Sequence, residues 1–171
     1  MNPPTEEIFD VCDECDRVIG QAPRSIVHAR KLLHRAVHVF VINSTGQLLV
    51  QKRSATKDEY PLCYTSSASG HLATGESYDA AAQRELLEEL GLRAALQPLH
   101  KFAAGPHTSY EHTMLYLAQT DGRPQPDPAE ICALACHEPA ALECLIAQSP
   151  AEYSPCFVTL LRWFVGRSRD A

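Results

Sequence analysis

The strongest constraint in this chain is a helix whose two faces make opposite demands. The stretch from Ser77 to Leu90 is rich in Ala and Leu, with Ser77 placed to cap its start and Gly91 at a left-handed stop position. Ala82, Leu86 and Leu90 recur every four residues and predict a buried stripe. Each helical residue turns about 100°, so Glu85, Glu88 and Glu89 fall within about one third of the circumference. Three carboxylates this close repel one another unless a cation sits among them. Hard divalent cations take oxygen ligands, and Mg²⁺ pairs one or two carboxylates with substrate phosphates and water. The apolar stripe ties the same helix to a core, so such ligands stand on a rigid element. Arg84 and Glu76 are placed to steady the loop and the ligand geometry.

The rest of the chain has to cover that stripe. Its 171 residues, 45% of them hydrophobic, fit one domain spanning 1–171 with a substantial core. Charged residues make up 21% and the net charge is −6, a folded rather than disordered composition. The acidic balance argues against nucleic acid as the main partner, because backbone binding needs clustered Lys and Arg. A small anionic substrate is still compatible if a metal brings the positive charge. Met1 to Asp16 is acidic and interrupted by Pro3 and Pro4, unlike a secretory signal, and no segment has the apolar length of a membrane span. A cytoplasmic protein without membrane contact is the expectation. The seven cysteines, an odd number, fit thiols better than disulfides.

Residues 8–22 read as a hairpin around the turn Asp13-Glu14-Cys15-Asp16, and Ser25 to Leu33 as a short helix. Ala36 to Ile42 and Gln47 to Lys52 flank the turn Asn43-Ser44-Thr45-Gly46 and predict the clearest hairpin in the chain. Ser54 to Gly75 reads as loop with one short strand. Further strands are expected near Leu99–Ala103, Thr113–Gln119 and Ile131–Cys136, with helices over Pro139–Gln148 and Pro155–Gly166. Strands mixed with a few helices imply an α/β fold, a sheet covered by helices.

A bare E-x-x-E-E is usually a solvated helix face. Here it sits in a longer pattern, GHLATGESYDAAAQRELLEELGL over 70–92: a Gly, five residues, a Glu, seven residues, then Arg-Glu-Leu-x-Glu-Glu-x-Gly-Leu. This resembles the Nudix box at every fixed position. The resemblance implies a Nudix-type α/β/α sandwich around a mixed β-sheet and hydrolysis of a diphosphate linkage in a nucleoside-diphosphate-type or related metabolite. It implies Mg²⁺, with Mn²⁺ as a substitute, held by Glu85, Glu88 and Glu89 with help from the Gly70 carbonyl, and Arg84 orienting the site. The metal neutralises phosphate oxygens and activates water, and a carboxylate takes the proton. Glu88 or Glu89 is the first choice for that base, with Glu130 and Glu111 as outside candidates.

The segments DRVIGQAPR, LLHRAVHVFVIN, GQLLVQKRSATKDEYP and GHLATGES also resemble the Nudix subgroup of isopentenyl-diphosphate isomerase and its hydrolase-like relatives. In that isomerase a catalytic cysteine precedes the Gly-His pair, whereas this chain has Ser69, a far poorer proton-transfer group. The isomerase's metal-ligand histidines match His34 and His71, but its acidic residues in the later strand find no clean match around Tyr110, Glu111 and His112. The isomerase's box is degenerate where this one is intact. Hydrolysis is therefore the leading expectation, with isomerisation or a non-catalytic binding module as alternatives. Many relatives dimerise, so a homodimer stays open.

Lys52, Arg53 and Lys57, after the second strand, are candidates for phosphate contact, and His71 for metal or phosphate. His34, read as preceding a strand, is either a structural histidine or a ligand, and His38 reads as packing. Cys63, Cys144 and Cys156 read as buried thiols. A structural zinc site from Cys12, Cys15, Cys132, Cys136 and His137 is disfavoured by their spacing. Phe157, Leu160, Leu161, Trp163 and Phe164 read as a core stripe. Tyr60, Tyr64, Phe102 and Tyr110 are available to stack on a base.

Overall fold

A computed structural model describes residues 6–167; Pro3, Pro4 and the two ends of the expected 1–171 domain lie outside the described residues. A two-stranded hairpin, β1 (Ile8–Cys12) and β2 (Val18–Pro23), leads into α1 (Arg24–Arg30). The central sheet takes β3 (His34–Ile42), β4 (Leu48–Arg53), β5 (Tyr64–Thr65), β6 (Ala68–His71), β7 (Leu96–Phe102), β8 (Glu111–Gln119) and β9 (Ile131–His137). Between and after these strands come α2 (Tyr78–Leu90), α3 (Pro139–Gln148) and α4 (Pro155–Arg167). The sheet is mixed: β3 runs parallel to β8, and the remaining ladders are antiparallel. Among the described residues no helix is long and apolar enough to cross a membrane.

Strand side chains alternate between faces, and this period of two sorts the core into layers. Val37, Val39 and Val41 of β3 and Leu49 of β4 pack against Ala81, Ala82, Leu86 and Leu90 of α2. Phe40, Leu48, Val50 and Leu115 pack on the other side, with Leu142 and Ile146 of α3 and Phe157, Leu160 and Leu161 of α4. The result is the α/β/α arrangement. The helix caps behave as their residue types demand: the Ser77 hydroxyl accepts the Ala80 N–H, and Gly91 takes φ +63°. The expected stripe of Ala82, Leu86 and Leu90 is completely buried.

The β3–β4 hairpin is shorter than its sequence suggests. Its ladder holds only Val41↔Leu49 and Ile42↔Leu48 before the strands part. At that point the Ser67 hydroxyl enters between them, accepting the Val41 N–H at 2.8 Å. Beyond it β6 pairs with β3, while β5 and β9 pair with β4. The stretch read as loop with one short strand thus supplies two, because each parted edge needs backbone partners. His34 opens β3 rather than preceding it. Cys156 is buried as expected, but Cys144 is exposed and Cys63 only half-buried.

Candidate functional site

The parting of β3 and β4 opens a cleft of about 440 Å³, lined from both strands, β6 and α2. Its α2 wall carries the carboxylates. Leu86 and Leu90 face the core, so Glu85 and Glu89, one turn apart, are carried inward beside β6 and are themselves buried. Glu88 points outward, its side chain 59% exposed. The Glu89 Oε2 accepts hydrogen bonds from Gln51 Nε2 at 2.7 Å and the Ser69 N–H at 3.0 Å. Burial pushes the Glu89 carboxyl up to about 8, reinforced by the neighbouring Glu85 charge. Burial likewise raises Glu85 to about 7, against the pull of Arg84.

Arg84 is the clamp of this wall. Its guanidinium meets Glu76 through two parallel bonds of 2.9 and 2.8 Å, donates to the His71 carbonyl at 3.0 Å, and reaches Glu85 at 2.6 Å and Glu88 at 3.2 Å. The fork geometry locks the loop before α2 to the helix that follows it. These partners, Glu76 above all, hold the guanidinium firmly charged. Gly70 leaves room for the Glu85 carboxylate, since a Cβ there would lie 2.0 Å from Glu85 Oε1. Glu130 lines the same cleft, ion-paired with Lys57. Its charge adds to the upward push on both Glu85 and Glu89.

At the other end of the cleft, His71 and Glu111 of the lining lead back to a cluster of histidines behind it. His71 Nε2 donates to Glu111 Oε1 at 2.9 Å, and His34 Nε2 lies 3.7 Å from the same oxygen. The parallel register of β3 and β8 sets His34 directly beside Glu111. His28 of α1 completes the group, its ring centroid 5.1 Å from His71 and 5.4 Å from His34. Phe9 of β1 stacks on His34 at 5.7 Å. His34 Nδ1 donates to the Leu32 carbonyl at 2.9 Å, which leaves Nε2 with its lone pair. The Nε2 atoms of His28 and His34 are buried without a hydrogen-bond partner among the described residues. Burial keeps His34 neutral, lowered to about 4, and His71 to about 3, while it raises Glu111 to about 7.

The basic candidates divide. Arg53 and Lys57 line the cleft, together with Arg24, whose role is invisible in the sequence. Lys52 lies outside the cleft lining, its ammonium 5.3 Å from the Tyr64 ring centroid. Strand alternation explains the split: Gln51 and Arg53 share one face of β4 and Lys52 the other. The stacking candidates are scattered: Tyr64 packs on Tyr153, Phe102 on Trp163, and Tyr110 under Lys31. Tyr60 alone of the four lines the cleft.

Eight acidic and four Lys or Arg side chains line the cleft among the described residues. An anionic substrate would be repelled by that balance unless cations join it. The donor sets fit two kinds of ion. The oxygens around Gly70, Glu85 and Glu89 suit a hard ion such as Mg²⁺, and the Nε2 atoms of His28 and His34, without a hydrogen-bond partner among the described residues, suit a nitrogen-binding one. His28 was missed in the sequence because nothing local marks it; only the packing of α1 on the β1–β2 hairpin brings it to the others.

Residues 32–158 match the NUDIX domain model. An isopentenyl-diphosphate Delta-isomerase of Nocardia farcinica is 34% identical over 159 residues, covering 89% of this chain and 91% of the relative. An uncharacterised Nudix hydrolase of Nostoc is 49% identical over 87 residues, covering 50% of this chain and 52% of that protein. A crystal structure of a Deinococcus radiodurans protein superposes with a TM-score of 0.80 at 29% identity, covering 91% of this chain and 98% of that one.

Proposed function

The chain belongs to the Nudix family, and from that premise we propose that it is a divalent-metal-dependent hydrolase cleaving a diphosphate linkage in a small metabolite. The observation that carries this reading is the pair Glu85 and Glu89, buried side by side with raised proton affinity. Two adjacent buried carboxylates are costly unless a cation neutralises them. Glu85, Glu88 and Glu89 would hold Mg²⁺, or Mn²⁺ in its place, with the Gly70 carbonyl. When bound, the ion supplies charge neutralisation at the diphosphate and a more acidic water.

The chain's own residues do the rest. Arg84 holds Glu85 and the loop at Gly70 in register, so the donors are pre-arranged. Arg53, Lys57 and Arg24 offer positive charge to the phosphate oxygens from the β4 and α1 sides. Glu89 receives the proton of the attacking water in this reading; its Oε2 is held by Gln51 and Ser69, leaving Oε1 for that task. Glu130 is a weaker choice, because its carboxylate is already engaged in an ion pair with Lys57.

A second reading, isomerisation of an allylic diphosphate, draws on the His34–His71–Glu111 group and on the identity with proteins named as isomerases over about nine-tenths of the chain. Against it stands Ser69, a hydroxyl where the isomerase carries its catalytic thiol. One assay separates the two. Nucleotide, sugar, CoA and isoprenoid diphosphates are incubated with Mg²⁺ or with EDTA, and phosphate release and the proton NMR of the isoprenoid are followed together. Metal-dependent phosphate release supports hydrolysis and names the substrate class. A shifted double bond without phosphate release supports isomerisation, and inactivity of folded, Mg²⁺-loaded protein toward all of them would remove both.

A further inference from the structure

Hydrolysis leaves unused a group of three side chains on the cleft's opposite wall. Phe40 and Ile42 of β3 pack with α3 and α4, and His38, on the same face of the strand, meets the first turn of α4. There its Nε2 lies 3.5 Å from the Sγ of Cys156. Glu111, on the neighbouring strand β8, brings a carboxylate to the same place. One ligand atom each from His38, Glu111 and Cys156 lies within 4.8 Å of the others, and all three residues are buried and line the cleft. We propose that Cys156, His38 and Glu111 form a soft-metal site, separate from the carboxylates of α2, that takes Zn²⁺ or a similar transition ion and leaves a position open toward the cleft.

The geometry of His38 is that of a prepared ligand. Its Nδ1 lies 2.7 Å from the Ser66 hydroxyl. An N–H donated there fixes the tautomer in which Nε2 keeps its lone pair, which is how metal-binding histidines are normally oriented. The spacing suits the ion as well. Sulfur at about 2.3 Å and nitrogen at about 2.0 Å from a tetrahedral zinc stand about 3.5 Å apart. The Glu111 contacts to His71 and His34 both go to Oε1, so its second oxygen can turn to this site.

A thiolate selects Zn²⁺ and related ions over Mg²⁺, so the two metal sites would not compete for the same ion. Three protein ligands with an open fourth position match zinc sites that bind water or a substrate oxygen. Without a cation the thiol stays protonated, since burial raises it well above its usual range. Binding breaks the S–H bond, forms a sulfur–metal bond and releases the proton to solvent, with no change of oxidation state. The position of Cys156 in the first turn of α4 favours the negative sulfur further. This site differs from the His28–His34–His71 group, which offers no sulfur.

The test is a Co²⁺ titration of the full chain with excess Mg²⁺ present to fill the carboxylate site. The expected result is a near-ultraviolet thiolate-to-cobalt band saturating at a single ion per chain. The band disappears in Cys156→Ser, and its midpoint moves at least tenfold higher in His38→Gln. It persists when the exposed Cys15, Cys132, Cys136 and Cys144 are all changed to serine. Cobalt binding without the band, or a band surviving Cys156→Ser, overturns the proposal. Should Cys156→Ser fail to fold, zinc-edge X-ray absorption on the wild type and the quadruple variant decides. One sulfur neighbour in both supports the site; none, or several, overturns it.

Discussion

The carboxylate wall of the cleft and the histidine cluster behind its other end are made in different ways. At the α2 end, Glu76, Glu85, Glu88, Glu89 and the clamp Arg84 come from one continuous stretch, Glu76 to Glu89, and local helix geometry sets the spacing of the last three carboxylates. At the histidine end, His28, His34, His71 and Glu111 come from α1, β3, β6 and β8, and only strand register and helix packing bring them together. Burial acts in opposite senses as well: it raises the proton affinity of Glu85 and Glu89 and lowers that of His34 and His71. One end asks for a hard cation, and at the other burial keeps His34 and His71 neutral.

The largest expected effect tests the division of labour directly. Glu89→Gln removes a carboxylate while keeping its shape and the Gln51 and Ser69 contacts, so steady-state turnover should fall by roughly 10³-fold or more with Tm nearly unchanged. His34→Gln should cost hydrolysis about tenfold or less; equal losses would break the comparison. Next comes Gly70→Ala. Its Cβ would lie 2.0 Å from Glu85 Oε1, so the carboxylate must move. A drop in turnover of about 10²-fold is expected from that displacement.

The third prediction uses pH in metal-free protein. Glu85 and Glu89 have folded values of about 7 and 8, above the ordinary glutamate value of 4.5. The folded state therefore holds more protons, and stability falls as pH rises from about 4.5 to about 8. Glu111, at about 7, adds to this alkaline arm. His34 and His71, lowered from 6.5 to about 4 and 3, act the other way, and their contribution is lost as pH falls from 6.5 to about 3. Tm measured against pH in EDTA should show both arms. Glu85→Gln with Glu89→Gln should shrink the alkaline arm to the part that Glu111 contributes, and saturating Mg²⁺ should do the same. A Tm that rises toward pH 8 without metal would contradict the assignment. The smallest effect separates two lysines: Lys57→Ala should raise KM by up to about tenfold, whereas Lys52→Ala, outside the cleft lining, should leave kcat and KM within about twofold.

Much of the fold was legible because it rests on short-range periodicity. The caps Ser77 and Gly91, the stripe of Ala82, Leu86 and Leu90, and α3 over Pro139–Gln148 lie where local chemistry places them. The extent of the β3–β4 hairpin was not legible, since its early end depends on Ser67, from a distant segment, entering between the strands. Nor was the contrast between Lys52 and Arg53, because adjacent strand residues look alike until the buried face is known.

The sequence by itself determined the carboxylate face of α2 and the Nudix pattern around it, because helical pitch converts residue spacing directly into geometry. Tertiary structure decided that Glu85 and Glu89 are buried while Glu88 is exposed, that Glu111 joins His34 and His71, and that His38 faces Cys156. Those outcomes depend on which faces pack together and which strands neighbour one another. Such contacts join residues far apart in the chain, where local spacing carries no information about distance.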